Sequence, residues 1–153
     1  MILRHIAYRS VATGLATPPA IDALLLDARR FNARQEVTGM LLHDGQRFFQ
    51  YIEGLPGALD EVMARITRSS LHHGIRIIAD DSHSRREFTG WHMGFNPAPA
   101  TLLQQLENCR WQQVYYDKQL QAPDSHPLRS LSAFLQDATS APASMLATTK
   151  APG

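Results

Sequence analysis

The chain has a single cysteine, Cys109. That excludes an intrachain disulfide framework and a thiolate metal cluster, and a reducing, cytoplasmic compartment is the matching expectation. An excess of one charge is also missing: 15 Lys and Arg stand against 14 Asp and Glu, for a formal net charge of +1. Such a balance leaves no electrostatic footprint for nucleic acid or for an anionic membrane. No apolar run approaches the roughly 20 residues needed to cross a bilayer. The start, MILRHIAYRS, has charges on both sides of a short apolar run and no small-residue cleavage site, so it does not read as a signal peptide. A Gly-rich phosphate loop of the P-loop or Rossmann type is absent. None of the seven histidines has metal-ligand spacing with carboxylates. There is no internal repeat. What is present is ordinary for a globular protein: 153 residues, 44% hydrophobic and 19% charged, enough for one domain with a core and some extra elements.

The informative stretch is Val37 to Gly54, VTGMLLHDGQRFFQYIEG. Asp44-Gly45 between two alternating apolar runs predicts a hairpin with a two-residue type I′ turn. In that register Leu41 faces Phe48, Gly39 faces Gln50 and Val37 faces Ile52. One face then carries Val37, Leu41, Phe48 and Ile52, with Gln50 and the gap left by Gly39 in its middle. The other carries Met40, Phe49 and Tyr51, so both faces are expected to be covered. A primary amide at a core position is costly unless hydrogen-bonded. Gln50 therefore has either a protein partner or a bound polar molecule beside Gly39.

Residues 2–9 read as a strand, with Ile6 and Tyr8 on one face and Leu3, His5 and Ala7 on the other. Thr17 followed by Pro18 predicts a helix start, and the helix runs to about Asn32. Its apolar stripe is Ile21, Leu24, Leu25 and Ala28, and the next position on that stripe is Asn32. A second helix is expected over 58–68 through Leu59, Val62, Met63 and Ile66. A fourth strand is expected over 75–79, a polar loop over 80–86 and a fifth strand over 88–95. The order β-α-β-β-α-β plus one strand is the ferredoxin-like α+β pattern, with two helices on one sheet face. Helical segments at 100–108 and 127–137 can cover the other face, and 138–153 reads as a flexible tail.

Tyr8, Asn32 and Gln50 all fall on the helix–sheet interior. Any one alone is commonplace as a satisfied core group. Three from three separate elements, with a glycine beside one, point to a planar polar ligand lodged between the helices. Arg65 and His72 are placed to flank that cleft. Two other functions fit the fold pattern. A small acylphosphatase-like hydrolase needs an arginine in an anion-binding loop, but the loop 10–17 has none and Arg9 is on the other strand face. A ligand-binding or nucleic-acid module using Phe49 and Tyr51 as a stacking platform is opposed by the near-neutral charge.

The sequence resembles the BLUF domains, blue-light sensors that use flavin. The resemblance is carried by Tyr8-Arg9-Ser10, Arg30-Phe31-Asn32, Val37-Thr38-Gly39-Met40-Leu41-Leu42 and Phe48-Phe49-Gln50-Tyr51-Ile52-Glu53-Gly54. It continues in Arg65-Ile66, His72, Arg86-Glu87-Phe88 and Trp91-His92-Met93. It departs at Phe31, where the family often has a second Asn, and at Ser69-Ser70-Leu71-His72, where only the His of an Asp-x-Arg-His run remains. The resemblance implies a noncovalent flavin, FAD first and FMN second. Tyr8 and Gln50 would form the photoactive pair, with Tyr8 giving an electron and a proton and Gln50 rotating or tautomerising. Asn32, Gln50, Leu41, Arg65, Ile66 and His72 would bind the cofactor, and Trp91 and Met93, sharing one face of strand 5, would carry the output. The implied layout is a flavin domain over 1–96, a helical cap and output segment over 97–137, and the tail. The protein would be a photoreceptor and not an enzyme. Its signal would pass to a downstream effector protein, with a homo-oligomer expected and no nucleic-acid or membrane partner.

Overall fold

The computed structural model describes residues 2–83 and 86–108. Its elements run β1 (Leu3–Ala12), α1 (Pro18–Gln35), β2 (Thr38–His43), β3 (Arg47–Gly54), α2 (Pro56–Arg68), β4 (His72–His83), β5 (Gly94–Pro97) and α3 (Ala100–Asn108). The five strands form one sheet in the order β4-β1-β3-β2-β5. The first four strands pair antiparallel, and β5 lies parallel to β2. This is the expected ferredoxin-like core with one strand added beside β2. The expected helix 127–137 and tail 138–153 lie outside the described residues.

Period-two alternation sorts the strand side chains onto two cores. Ile6, Leu41, Phe48 and Ile52 pack with Ile21 and Leu25 of α1 and with Leu59 and Val62 of α2. Ala7, Met40, Leu42, Phe49 and Tyr51 pack with Leu103 and Leu106 of α3. Each fully buried Leu or Phe contributes about 1.5–3 kcal/mol. A charged clasp adds to the α3 side: Arg9 Nε donates to Glu107 Oε1 at 2.8 Å. Arg47 and Arg76 approach the same carboxylate at 3.9 and 3.7 Å. Arg9 thus points away from α1 and α2, as the alternation on β1 predicts.

The hairpin forms, but its register differs from the expected one by two residues. Leu41 pairs with Gln50, Gly39 with Ile52 and His43 with Phe48. Asp44 N donates to the Arg47 carbonyl, so the central turn residues are Gly45 and Gln46. Gly45 takes φ +97° at the first of them, a conformation open to glycine. Asp44 stays outside the turn centre because its Oδ1 accepts from Gln46 N at 2.9 Å and Arg47 N at 2.7 Å. A slip of two residues keeps every side chain on its face, whereas a slip of one would have inverted the sheet.

Other boundaries move for identifiable reasons. Pro56 takes a first-turn position, so α2 begins there and not at 58. Helix α1 runs past Asn32 to Gln35 and is capped by Glu36 in the left-handed region at φ 55°. β4 extends far beyond 75–79, because β1 offers it partners from Leu3↔His83 to Ala12↔His72. Residues 80–83 of the expected loop thus join an edge strand, and Arg4 binds Asp80 at 2.7 Å. The fifth strand is the largest change: 88–93 is not a strand, and β5 begins at Gly94. Buried Glu53 is the cause. Its carboxylate accepts from Glu87 N at 2.9 Å and Phe88 N at 2.7 Å, which bends the chain at the end of β3. Arg86 locks the same corner, donating to Thr38 Oγ1 at 2.9 Å and to the Glu36 carbonyl at 2.6 Å. Trp91 N then closes a turn on the Phe88 carbonyl.

Candidate functional site

A cavity of about 460 Å³ opens between α1 and α2 above the sheet. That is within the roughly 300–1,000 Å³ of small-molecule sites. Tyr8, Leu41 and Gln50 form its floor, Asn32 and Met93 one wall, and Arg65, Ile66 and His72 the side under α2. All six residues expected to bind the cofactor therefore line one space, with Tyr8 beside them.

Cross-strand register builds the floor. Tyr8 on β1 lies directly opposite Gln50 on β3, and Gln50 lies opposite Leu41 on β2. The β1–β4 ladder shifts between Ala7 and Tyr8, where Ile78 is the extra residue on β4. The Tyr8 hydroxyl donates to Gln50 Oε1. Gln50 Nε2 donates to the Met93 sulfur at 3.1 Å. Tyr8 is 2% exposed and Gln50 6%. Burial pushes the Tyr8 phenol well above its ordinary pKa, so it keeps its proton.

Asn32 is buried at the carboxyl end of α1, where the helical stripe placed it. Its Nδ2 donates to the His92 carbonyl at 2.8 Å. His72 joins β1 to α2: its Nε2–H donates to the Ile66 carbonyl and its Nδ1 meets the Ser10 hydroxyl, each at 2.7 Å. At the mouth, Arg65 binds Asp27 of α1 and lies 4.2 Å from the centroid of the Phe31 ring. An ion pair this exposed is worth about 1 kcal/mol or less. It nonetheless bridges the two helices across the opening.

Two expectations are corrected. Gly39 does not leave a slot for a ligand. A Cβ there would meet the Tyr51 carbonyl oxygen at 2.0 Å, so glycine is required by the close approach of β3. Trp91 and Met93 do not share a face, because no strand runs through them. Half-buried Trp91 packs with the α3-side core, whereas Met93 is 1% exposed in the α1/α2-side core. The segment between them crosses the sheet edge beside β2. Sequence reasoning also missed Asp27 and Arg68, which line the cavity. Asp27 and Phe31 are four apart on one helix face, a spacing that would have flagged the pair Arg65 contacts.

The residues present suit a flavin. A planar ring system with donors and acceptors along one edge needs apolar side chains and buried amides around one cavity, and Leu41, Ile66, Asn32 and Gln50 supply these. Comparison with known proteins agrees. The family model described as sensors of blue-light using FAD matches residues 3–94. None of the curated proteins matches the chain. Among solved structures, the fold is similar to the BlrP1 BLUF structure, with TM-score 0.58, 30% identity, and coverage of 63% of this chain and 66% of that one. It is also similar to the dark state of the BLUF protein BlrB, with TM-score 0.64, 27% identity, and coverage of 86% and 96%. A third is Klebsiella pneumoniae BlrP1 with FMN and cyclic diGMP, with TM-score 0.62, 27% identity, and coverage of 88% and 35%. The chain spans just under two thirds of the first of these structures and about a third of the last. With the family model matched over residues 3–94 and Tyr8, Asn32 and Gln50 around one cavity, the chain belongs to the BLUF family.

Proposed function

We propose that this protein senses blue light through a noncovalent flavin held between α1 and α2, with Tyr8 and Gln50 as its photoactive pair. The carrying observation is the unbroken chain Tyr8 Oη, Gln50 amide, Met93 sulfur along the cavity floor and wall. A bound flavin supplies blue-light absorption and an excited state that takes up an electron and a proton. Asn32 and Gln50 would hold it by hydrogen bonds, Leu41 and Ile66 would exclude water from it, and Arg65 and His72 would bound the side leading to the mouth. Tyr8, neutral and buried, holds its proton on Oη against Gln50 Oε1 and is the electron and proton source.

Gln50 is the element that changes. Its amide now presents oxygen to Tyr8 and nitrogen to Met93. Turning the amide presents Oε1 to the thioether, which has no hydrogen to donate. The Met93 contact is then lost, and the segment 91–93 gains a reason to repack. Because Trp91 packs against the core that Leu103 and Leu106 of α3 help form, that segment joins the cavity to the α3 side. Output therefore passes through 88–97 to α3 and onward to an effector protein. An oligomer and a cytoplasmic setting belong to the same reading. FAD is the favoured cofactor on the family description. FMN, present in the Klebsiella pneumoniae BlrP1 structure, is the alternative.

The test is direct. Heat denaturation should release flavin whose mass identifies FAD or FMN, and blue light should shift the bound absorption reversibly to the red. A preparation that takes up neither flavin on reconstitution would remove this reading.

A further inference from the structure

Strand pairing of β5 begins at Gly94, opposite Met40. Just before it, two successive carbonyls are held by side chains of α1. Asn32 Nδ2 donates to the His92 carbonyl at 2.8 Å, and Arg29 Nε donates to the Met93 carbonyl at 2.9 Å. Residues three apart lie on one helix face, so α1 grips consecutive peptide units with one edge. On the other side, Gly39 N donates to the Trp91 carbonyl at 2.9 Å, and His92 Nδ1 lies 3.2 Å from the Val37 carbonyl. The segment 91–93 is thus suspended between α1 and β2.

The two α1 side chains differ in what else they do. Asn32 lines the cavity, so changing it alters the ligand site as well as the segment. Arg29 is half-buried and lies outside the lining. Its bond is charge-assisted, which makes it stronger than a neutral one.

We infer that Arg29 is the positioning residue for Met93: its bond to the Met93 carbonyl keeps the thioether beside Gln50 and sets the lifetime of the light state. The lifetime part rests on the reading of the site as a light sensor. The positional part concerns the dark chain alone.

The experiment compares wild type, Arg29→Met and Arg29→Lys as flavin-loaded full-length chains. Arg29→Met keeps the apolar stem and removes the donor, whereas Arg29→Lys keeps a charged donor. Hydrogen exchange of the peptide covering 88–97 is measured in the dark, and recovery of the flavin absorption is timed after a blue pulse. In Arg29→Met, dark exchange should accelerate by about tenfold, the loss expected for one charge-assisted hydrogen bond. The red shift should keep its size while its decay changes by threefold or more, on the order of half that energy. Arg29→Lys should stay within about threefold of wild type, since a donor remains. Unchanged exchange and decay in Arg29→Met would overturn the inference, as would Arg29→Lys behaving like Arg29→Met. A wild type without any light response, but with the exchange difference intact, would sink the photosensor reading and leave the positional role supported.

Discussion

Gln50 Nε2 donates to the Met93 sulfur at 3.1 Å while Gln50 Oε1 accepts from Tyr8, so one amide ties a β1 phenol to the segment that leads into β5. A thioether accepts and cannot donate. The contact is therefore sensitive to which end of the amide faces it. That makes Met93 a reader of Gln50 orientation, and it places the reader on a stretch of chain that is not part of a strand.

Removing either end of the photoactive pair should abolish the light response and spare binding. Tyr8→Phe and Gln50→Ala are expected to retain flavin, held by Asn32, Leu41 and Ile66, and to show no reversible red shift. Absorption spectra before and after blue light check this. A normal photocycle in either variant removes that residue from its assigned role.

Met93→Ala should separate sensing from output. The substitution empties a site in the α1/α2-side core and should cost about 2–5 kcal/mol of stability. The flavin shift should survive. The light-dependent change in hydrogen exchange over 97–108, expected in the wild type, should shrink or vanish. Persistence of that change at full size takes Met93 out of the path to α3.

Gly39→Ala is predicted to disrupt the sheet and not the ligand site directly. The new methyl would meet main chain at 2.0 Å, and main chain in a central strand pair cannot swing aside. A loss of about 3 kcal/mol, at the upper end for overpacking, is expected. Denaturant unfolding measures it. A loss below about 1 kcal/mol would contradict the close approach of β2 and β3.

Stability should fall in alkali. Burial raises the folded pKa of both Tyr8 and Tyr51 above 10, the ordinary tyrosine value, and the Glu53 charge adds to the rise at Tyr51. The unfolded chain loses these protons first. The stabilisation is complete below the unfolded pKa and is lost as pH rises toward the folded one. Above about pH 10 each buried tyrosine should contribute a slope of about 1.4 kcal/mol per pH unit. Tyr8→Phe should reduce that slope by one tyrosine's share, read from denaturation midpoints between pH 9.5 and about 11.5.

Side-chain periodicity alone placed Tyr8, Leu41 and Gln50 on the same face as α1 and α2, and Asn32 on the inner stripe of α1. Those placements survive because facing depends on position along a strand or helix, a local property. Even the two-residue slip of the hairpin left them intact. What only the tertiary structure decided is which distant groups meet. The carboxylate of Glu53, 34 residues before Glu87 and 35 before Phe88, captures their amides and denies 88–93 to the sheet. β1 recruits polar residues into β4 because it has unpaired length to satisfy. Alternation along Trp91, Met93 and Phe95 suggests a strand with one face. The captured loop instead sends Trp91 against the α3-side core and Met93 to Gln50. Local pattern cannot express that outcome, because the hydrogen-bond partners that enforce it belong to other elements.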